Sequence, residues 1–296
     1  MMAATGGREL ENPAIDPAFV RPSAPSVAGN RTARRDCAPE SSPLIEVFAM
    51  RYLVEARTAF PVFPTARPEL LFHFGDPFRV RNHDGEPWFD LPRAALLGPR
   101  RHRYWQSAGP PIDWFLIQLT PLGCRRFLGA SLGAWWDVDV ALSALWGEVA
   151  TTLHARLAGE PDFDMRRQIA SAALAPLALD LEGDAAVSRA VHRARIGELQ
   201  TPAAMAHEVG VGERRLRQRF AADYGWNPKA FLNLMRFNRQ MLETHPLYPG
   251  NGLVDHADQS HAIHEFRRFA GITPGAYARM KAGGDLLVVT GAAQPA

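Results

Sequence analysis

From residue 44 to about residue 119, apolar residues come in short runs: IEVFAMRYLVE, ELLFHFG, FRVRN, AALLG and DWFLIQL. Between them stand FPTARP, GDP, NHDGEP and GPRRH, whose Pro, Gly, Asn and Asp favour turns. Runs of this length at roughly 8 to 12 residue intervals predict the strands of a β-sandwich or barrel. Asp84-Gly85 suits a hairpin turn between FRVRN and EPWFDL.

Past Pro121 the period becomes helical, in GCRRFLG, VALSALWGEVATTLHARLAG and MRRQIASAALAPLALDL. The middle segment aligns Leu142, Leu145, Trp146, Val149 and Leu153 in one apolar stripe. Such a stripe either packs on the β-rich part or pairs with a second copy of the chain. Further on, Thr201-Pro202, Asn227-Pro228 and Thr273-Pro274 each set an N-cap acceptor before a Pro, which sacrifices no needed amide at the first helical position. They predict three helix starts. Residues 1–40 mix Pro, Gly, Ser, Ala and Arg without period and read as a disordered tail. The plan is then a tail (1–40), a β-rich domain (41–120), a helical connector that either packs on that domain or dimerises (121–184), an all-α domain (185–282) and a loose tail (283–296). In class this is α+β and multidomain.

A chain of 296 residues is long enough for two domains with their own cores. No apolar run reaches about 18 residues, and MMAATGGREL lacks a basic stretch followed by an apolar one. The chain therefore reads as soluble, cytoplasmic and without a membrane partner. Cys37 and Cys124 are too few for a disulfide framework or a thiolate zinc site. The net charge of +2 averages unlike regions: residues 187–283 carry 14 Lys/Arg against 8 Asp/Glu, and residues 41–184 carry 14 against 17. The basic excess sits where a polyanion would bind.

Residues 201–220 read TPAAMAHEVGVGERRLRQRF. A helix over Pro202–Val209, a tight turn at Gly210-Val211-Gly212 and a second helix from Glu213 make a helix-turn-helix, closed by Met205, Ala206, Val209, Leu216 and Phe220. Leu216 and Phe220 face inward, so Arg214, Arg217 and Gln218 face outward, flanked by Arg215 and Arg219. Arg and Gln on an exposed helix suit the major groove, where they pair with guanine and adenine.

A helix of about 17 residues follows in YGWNPKAFLNLMRFNRQMLE, and then DHADQSHAIHEFRRFAGITPGAYARMK. The ordered strings GVGERRLRQRF, YGWNPKAF, DQSH, EFRR and GITPGAY resemble those of AraC/XylS-type transcription regulators. That family carries two helix-turn-helix units joined by a rigid helix. The resemblance implies base reading by Arg214, Arg217 and Gln218 in the first unit and by Gln259, Ser260 and His264 in the second. It also implies phosphate or positioning contacts from Arg215, Arg219, Arg267 and Arg268. The partners it implies are double-stranded promoter DNA and RNA polymerase, with activation the commoner role, no cofactor, a small-molecule effector and a homodimer. The chain departs from the pattern at THPLYPGNGLVDHADQSH, where Pro246, Pro249, Gly250 and Gly252 discourage the first helix of the second unit. His264 stands where the family has Arg. An alternative is therefore a regulator-like binding module with a degraded second unit, acting through a protein partner.

ARPELLFHFGDPFRV, LLGPR and QLTPLGCRRFLG more loosely resemble the cupin-like sensor half of such regulators. A sensor of that kind would line its effector pocket with Phe72, Phe74, Phe78, Trp88, Trp105 and Trp114. The competing reading makes these rings core. His256, His261 and His264 carry no Cys nearby, and His73, His83 and His102 are dispersed, so no metal site is expected. No nucleophile elbow, phosphate loop or dinucleotide fingerprint is present. The chain is not expected to be an enzyme; a cupin-type enzyme fused to helices is the weaker third reading.

Overall fold

The computed structural model describes residues 31–37, 43–53, 58–83, 85–243 and 256–282. Side-chain alternation decides what each central strand faces. In β4 (Glu69–His73), Leu70 and Phe72 lie on one side of the sheet and Leu71 and His73 on the other. In β9 (Ile112–Leu119), Phe115 and Ile117 join the first side, while Trp114 and Leu116 join the second. Both sides are covered, which is why these strands read as nearly unbroken apolar runs.

An antiparallel six-stranded sheet has the order β1 (Arg31–Asp36), β2 (Ile45–Leu53), β9, β4, β7 (Ala94–Leu97), β10 (Asp139–Ala141). One face packs on a four-stranded sheet ordered β3 (Thr58–Val62), β8 (Tyr104–Ala108), β5 (Arg79–Arg81), β6 (Phe89–Asp90), through Leu71, Phe78, Val80, Trp114 and Leu116. The other face packs on helices. β5 and β6 pair as the hairpin expected around Gly85, whose φ is +86°. Asp84 lies outside the described residues, as do residues 1–30 and 283–296 of the two tails.

Three boundaries differ from the sequence reading. RTARRD, taken as tail, is β1 and pairs with β2 from Arg31↔Tyr52 to Asp36↔Val47. Its signal was hidden because an edge strand needs partners for its backbone, not apolar side chains, and charged edges are normal. β10 returns from the connector to the sheet edge, pairing Asp139 with Leu97, so the β-rich half does not end at residue 120. The long helix expected over VALSALWGEVATTLHARLAG is broken at Gly147, which adopts φ +55° and ψ −131° and separates α2 (Leu142–Trp146) from α3 (Glu148–Ala158). Of the expected stripe, Val149 is therefore exposed while Leu153 stays buried, joined by Ala150 and Leu157.

α1 (Pro121–Leu128), α3 and α4 (Phe163–Leu174) cover the sheet. Arg166 of α4 is buried. It donates to Asp113 Oδ1 at 3.1 Å and to the Leu157 and Glu160 carbonyls, with its guanidinium 4.4 Å from the Phe74 ring centroid. No helix of the described residues is long and apolar enough to cross a membrane.

The C-terminal helices continue the same apolar core, which runs from Phe48 and Phe115 through Cys124, Trp136 and Val187 to Tyr277. At the joint, the pairing of β2 with β9 shifts between Ile45 and Val47, a bulge that re-aims Glu46. Glu46 accepts from Arg67 Nη2 at 2.7 Å and from Arg195 Nη1 of α5 (Ala185–Arg195). Arg195 also donates to the Ala66 carbonyl at 3.0 Å. Burial works to raise the Glu46 pKa, but the two guanidiniums overcome it and hold the carboxyl well below the usual range.

Replacing Glu46 by Gln leaves two half-buried guanidiniums without their counter-ion. We expect a loss of about 3 kcal/mol, or roughly 6–12 °C in Tm. The folded-state pKa lies below the unfolded one, so the Glu46 contribution is complete above pH ~4.5 and is lost as pH falls. Thermal melts between pH 3 and 7 should show the wild-type advantage over Glu46→Gln shrinking on acidification; an advantage independent of pH would refute the assignment.

Candidate nucleic-acid interface

α6 (Pro202–Val209) starts where Thr201-Pro202 predicts, with Thr201 Oγ1 accepting from the Ala204 amide at 3.1 Å. It ends at Gly210, whose φ of +72° is a left-handed conformation that favours glycine. α7 (Glu213–Tyr224) then buries Leu216, Phe220 and Tyr224 against Met205, Ala206 and Val209. The Phe220 ring stacks on Tyr224 at 4.4 Å and meets Phe231 edge-on at 5.3 Å. With one face fixed inward, Arg214, Arg215, Arg217 and Gln218 are all exposed. Arg214, Arg217 and Gln218, spaced by three and four, form one outward row. Arg215 Nη1 lies 3.4 Å from Gln218 Oε1 and donates to it.

Arg219 behaves differently from its neighbours. It is half-buried and donates twice to Asp184, at 2.5 and 2.6 Å. The same carboxylate caps α5 by accepting from the Val187 amide at 3.0 Å. Burial acts to raise the Asp184 pKa, and the Arg219 hydrogen bonds and the Val187 amide bring it below the usual range. Arg219 is thereby committed to holding α7 against α5, a role that local spacing could not reveal because Asp184 is 35 residues away.

The far end of α7 is held by the connector. Trp136 Nε1 donates to the Tyr224 carbonyl at 2.6 Å, Arg125 pairs with Asp223, and Trp136 meets Trp226 edge-on at 4.7 Å. Gly225 and Gly133 approach so closely that a Cβ on Gly225 would sit 2.4 Å from Gly133 Cα.

α8 (Pro228–Glu243) starts on the Asn227 cap, which accepts from the Ala230 amide at 2.8 Å. At 1.5 Å per residue it spans about 24 Å. It buries Phe231, Leu234 and Phe237. Residues 244–255, including the Pro and Gly that interrupt the second unit, lie outside the described residues. α9 (His256–Ala270) begins two residues ahead of the DQSH string. Its Glu265 is buried and accepts from Asn233 and from Arg236 (3.1 Å) of α8, while Phe266 and Phe269 pack on Phe237. His264, Arg267 and Arg268 are exposed. Gln259 and Ser260 fall within α9, but their side chains, like that of His261, are outside the described set. α10 (Pro274–Ala282) follows the Thr273 cap and buries Tyr277. Glu265 was missed as a functional residue, although its place in EFRR and its burial mark it as the group that seats α9 on α8.

In the β-rich half a small cavity of about 30 Å³ lies between the sheets. Of the aromatics expected to line a pocket, Trp114 and Phe78 do so. Phe72 faces the helices, on the other side of the sheet. Phe74 packs against Arg166 and His154. Trp88 and Trp105 sit beside the Arg81 guanidinium, at 5.0 and 5.8 Å. The cavity wall also carries Arg67, Glu69, Arg100, Tyr104 and Gln106, which the sequence reading did not single out. The available signal was a charged residue on the inward side of an otherwise apolar strand, as in Glu69 of ELLFH. His73 is buried and stacked on Phe78, whereas His83 and His102 are exposed. Among the described residues no three His, Cys, Asp or Glu side chains gather as a metal site would need.

No protein-family model matches the chain, and no curated protein matches it. Among solved structures it is similar to ToxT from Vibrio cholerae O395, at 9% identity and a TM-score of 0.44, over 80% of this chain and 98% of that one. Fatty-acid-bound ToxT from Vibrio cholerae strain SCE256 gives 10% and 0.42, over 79% and 95%. The AraC-like transcriptional activator CuxR gives 14% and 0.24, over 72% and 87%.

Asp184→Asn should keep the α5 cap, because Asn caps as well as Asp, while removing the charge that holds Arg219. Hydrogen exchange should then speed up in α7 and stay unchanged at the α5 N-terminus. Equal protection of α7 in both proteins would refute the positioning role.

Proposed function

We propose that the chain is a sequence-specific DNA-binding transcription regulator built on the AraC/XylS plan. The observation that carries this reading is the division of α7 into a buried row (Leu216, Phe220, Tyr224) and an exposed row (Arg214, Arg217, Gln218). An exposed helix bearing two guanidiniums and an amide, seated on a packed partner helix, has the shape and the hydrogen-bonding groups to read a major groove.

In this reading Arg214, Arg217 and Gln218 contact base edges, and Arg215 contacts phosphate. Arg219 orients α7 through Asp184 instead of touching DNA. α9 supplies the second set, with Gln259, Ser260 and His264 toward bases and Arg267 and Arg268 toward the backbone. α8 spaces the two units, and its ties to α9 through Glu265 support a fixed spacing. Activation, contact with RNA polymerase, self-association, response to an effector and a cytoplasmic location follow from the family resemblance.

The test is binding of the full chain to DNA from upstream of its own coding sequence at two salt concentrations, beside an Arg214→Ala/Arg217→Ala/Gln218→Ala variant. Each bidentate base contact is worth about 1–3 kcal/mol, so the variant should lose at least about 100-fold in selective affinity. Its weak, salt-sensitive binding should largely persist, because that depends on phosphate contacts. Equal binding by both proteins, through the salt-sensitive part alone, would overturn base reading by α7 and with it this function.

A further inference from the structure

α9 differs from α7 in what it shows to solvent. Every exposed side chain of α7 is charged, an amide or an alanine methyl. α9 instead carries an exposed isoleucine, Ile263, with 38% of its surface open. A single exposed aliphatic residue is ordinary on a protein surface, so only its surroundings can give it meaning.

The buried side of α9 fixes which way Ile263 faces. Glu265 accepts from Asn233 and from Arg236 (3.1 Å) of α8, and Phe266 and Phe269 pack on Phe237. At 3.6 residues per turn, Ile263 lies about 160° round the helix from Glu265 and on the same flank as Arg267, one turn on. His264, Arg267 and Arg268 are exposed beside it. An apolar protein surface docked on Ile263 would have to bury those guanidiniums unpaired, which is costly. The surroundings suit a partner that is anionic around an apolar spot.

The major groove of double-stranded DNA has that make-up. Phosphates line its edges, and among the four bases thymine alone projects an apolar group into it, the C5 methyl. We infer that Ile263 is a specificity-determining residue of α9 that packs on a thymine methyl in the half of the site that α9 covers. The inference rests on the regulator reading and deepens it. It gives the two helices unlike chemistry: α7 reads by hydrogen bonds, Arg to guanine and Gln to adenine, while α9 adds an apolar contact that no purine edge satisfies. The β-branch of Ile263 suits this role, because it leaves one strongly preferred rotamer in a helix and little side-chain freedom to lose on contact.

Uracil differs from thymine only by that methyl and so isolates the contact. DNA from upstream of the chain's own coding sequence, with uracil at random in place of a few thymines, should be mixed with the full chain and the bound fraction separated. Cleavage at uracil then shows which methyls the bound molecules need. For wild type, uracil should be depleted about fourfold at one or two neighbouring thymines, equivalent to ~0.8 kcal/mol for one buried methyl. Ile263→Ala should bind with uracil and thymine equally tolerated there. Each protein is compared with itself on the two bases, so a general loss of stability or affinity in the variant does not move the readout. Selective binding by wild type in which uracil is tolerated everywhere overturns this inference alone. So does any result in which every depletion seen with wild type persists in Ile263→Ala. Absence of selective binding by wild type overturns it together with the regulator reading.

Discussion

The joint between the sheets and the helices depends on a carboxylate that answers two guanidiniums at once. Glu46 can do this only because β2 is irregular where it stands: a regular strand would send residue 46 to one face of the sheet, and the bulge turns it toward both Arg67 and Arg195. Each of the three charges would be costly to bury alone. Together they fix where α5 begins its contact with the β-rich half, and every later helix is built outward from α5.

From that joint the placement of α7 follows. Its middle is tied to the α5 cap through Arg219 and Asp184, and its C-terminal end is tied to the connector through Trp136, Asp223 and the Gly133–Gly225 approach. The outward row of α7 therefore has a fixed orientation relative to the sheets. The base recognition proposed for this row needs such precision, since contacts to base edges are directional. Buried contacts at the middle and the C-terminal end of the helix hold it in place.

Much of this was legible in the sequence wherever the signal is local. Thr201-Pro202, Asn227-Pro228 and Thr273-Pro274 cap helices because the cap and its amide lie within three residues of each other. The inward and outward rows of α7 follow from helical period alone. Other features depend on distant partners and left no such trace. β1 is a strand only because β2 lies beside it. Arg219 looks like one more exposed cation until Asp184 is brought to it. The aromatic rings proposed for a pocket were chosen by type, whereas side-chain parity in β4 and β9 sends Phe72 to the helices and Trp114 to the cavity. Helical period alone runs straight through Gly147, whereas its positive φ breaks the helix and turns Val149 outward, with Leu153 still buried.

The unbroken core also bears on how such a chain can change over evolutionary time. Helical DNA readers are often treated as interchangeable parts that recombine with unrelated partners. Here the surface beneath α7 is closed by Trp136 and by a glycine-to-glycine approach that admits no extra carbon atom. A recombination event at the connector would strip that surface bare and leave an aromatic patch in water. The two halves are accordingly bound to a common history: substitutions in the connector must be matched in the α7–α8 turn, whereas the exposed row of α7 can change without disturbing the core beneath it.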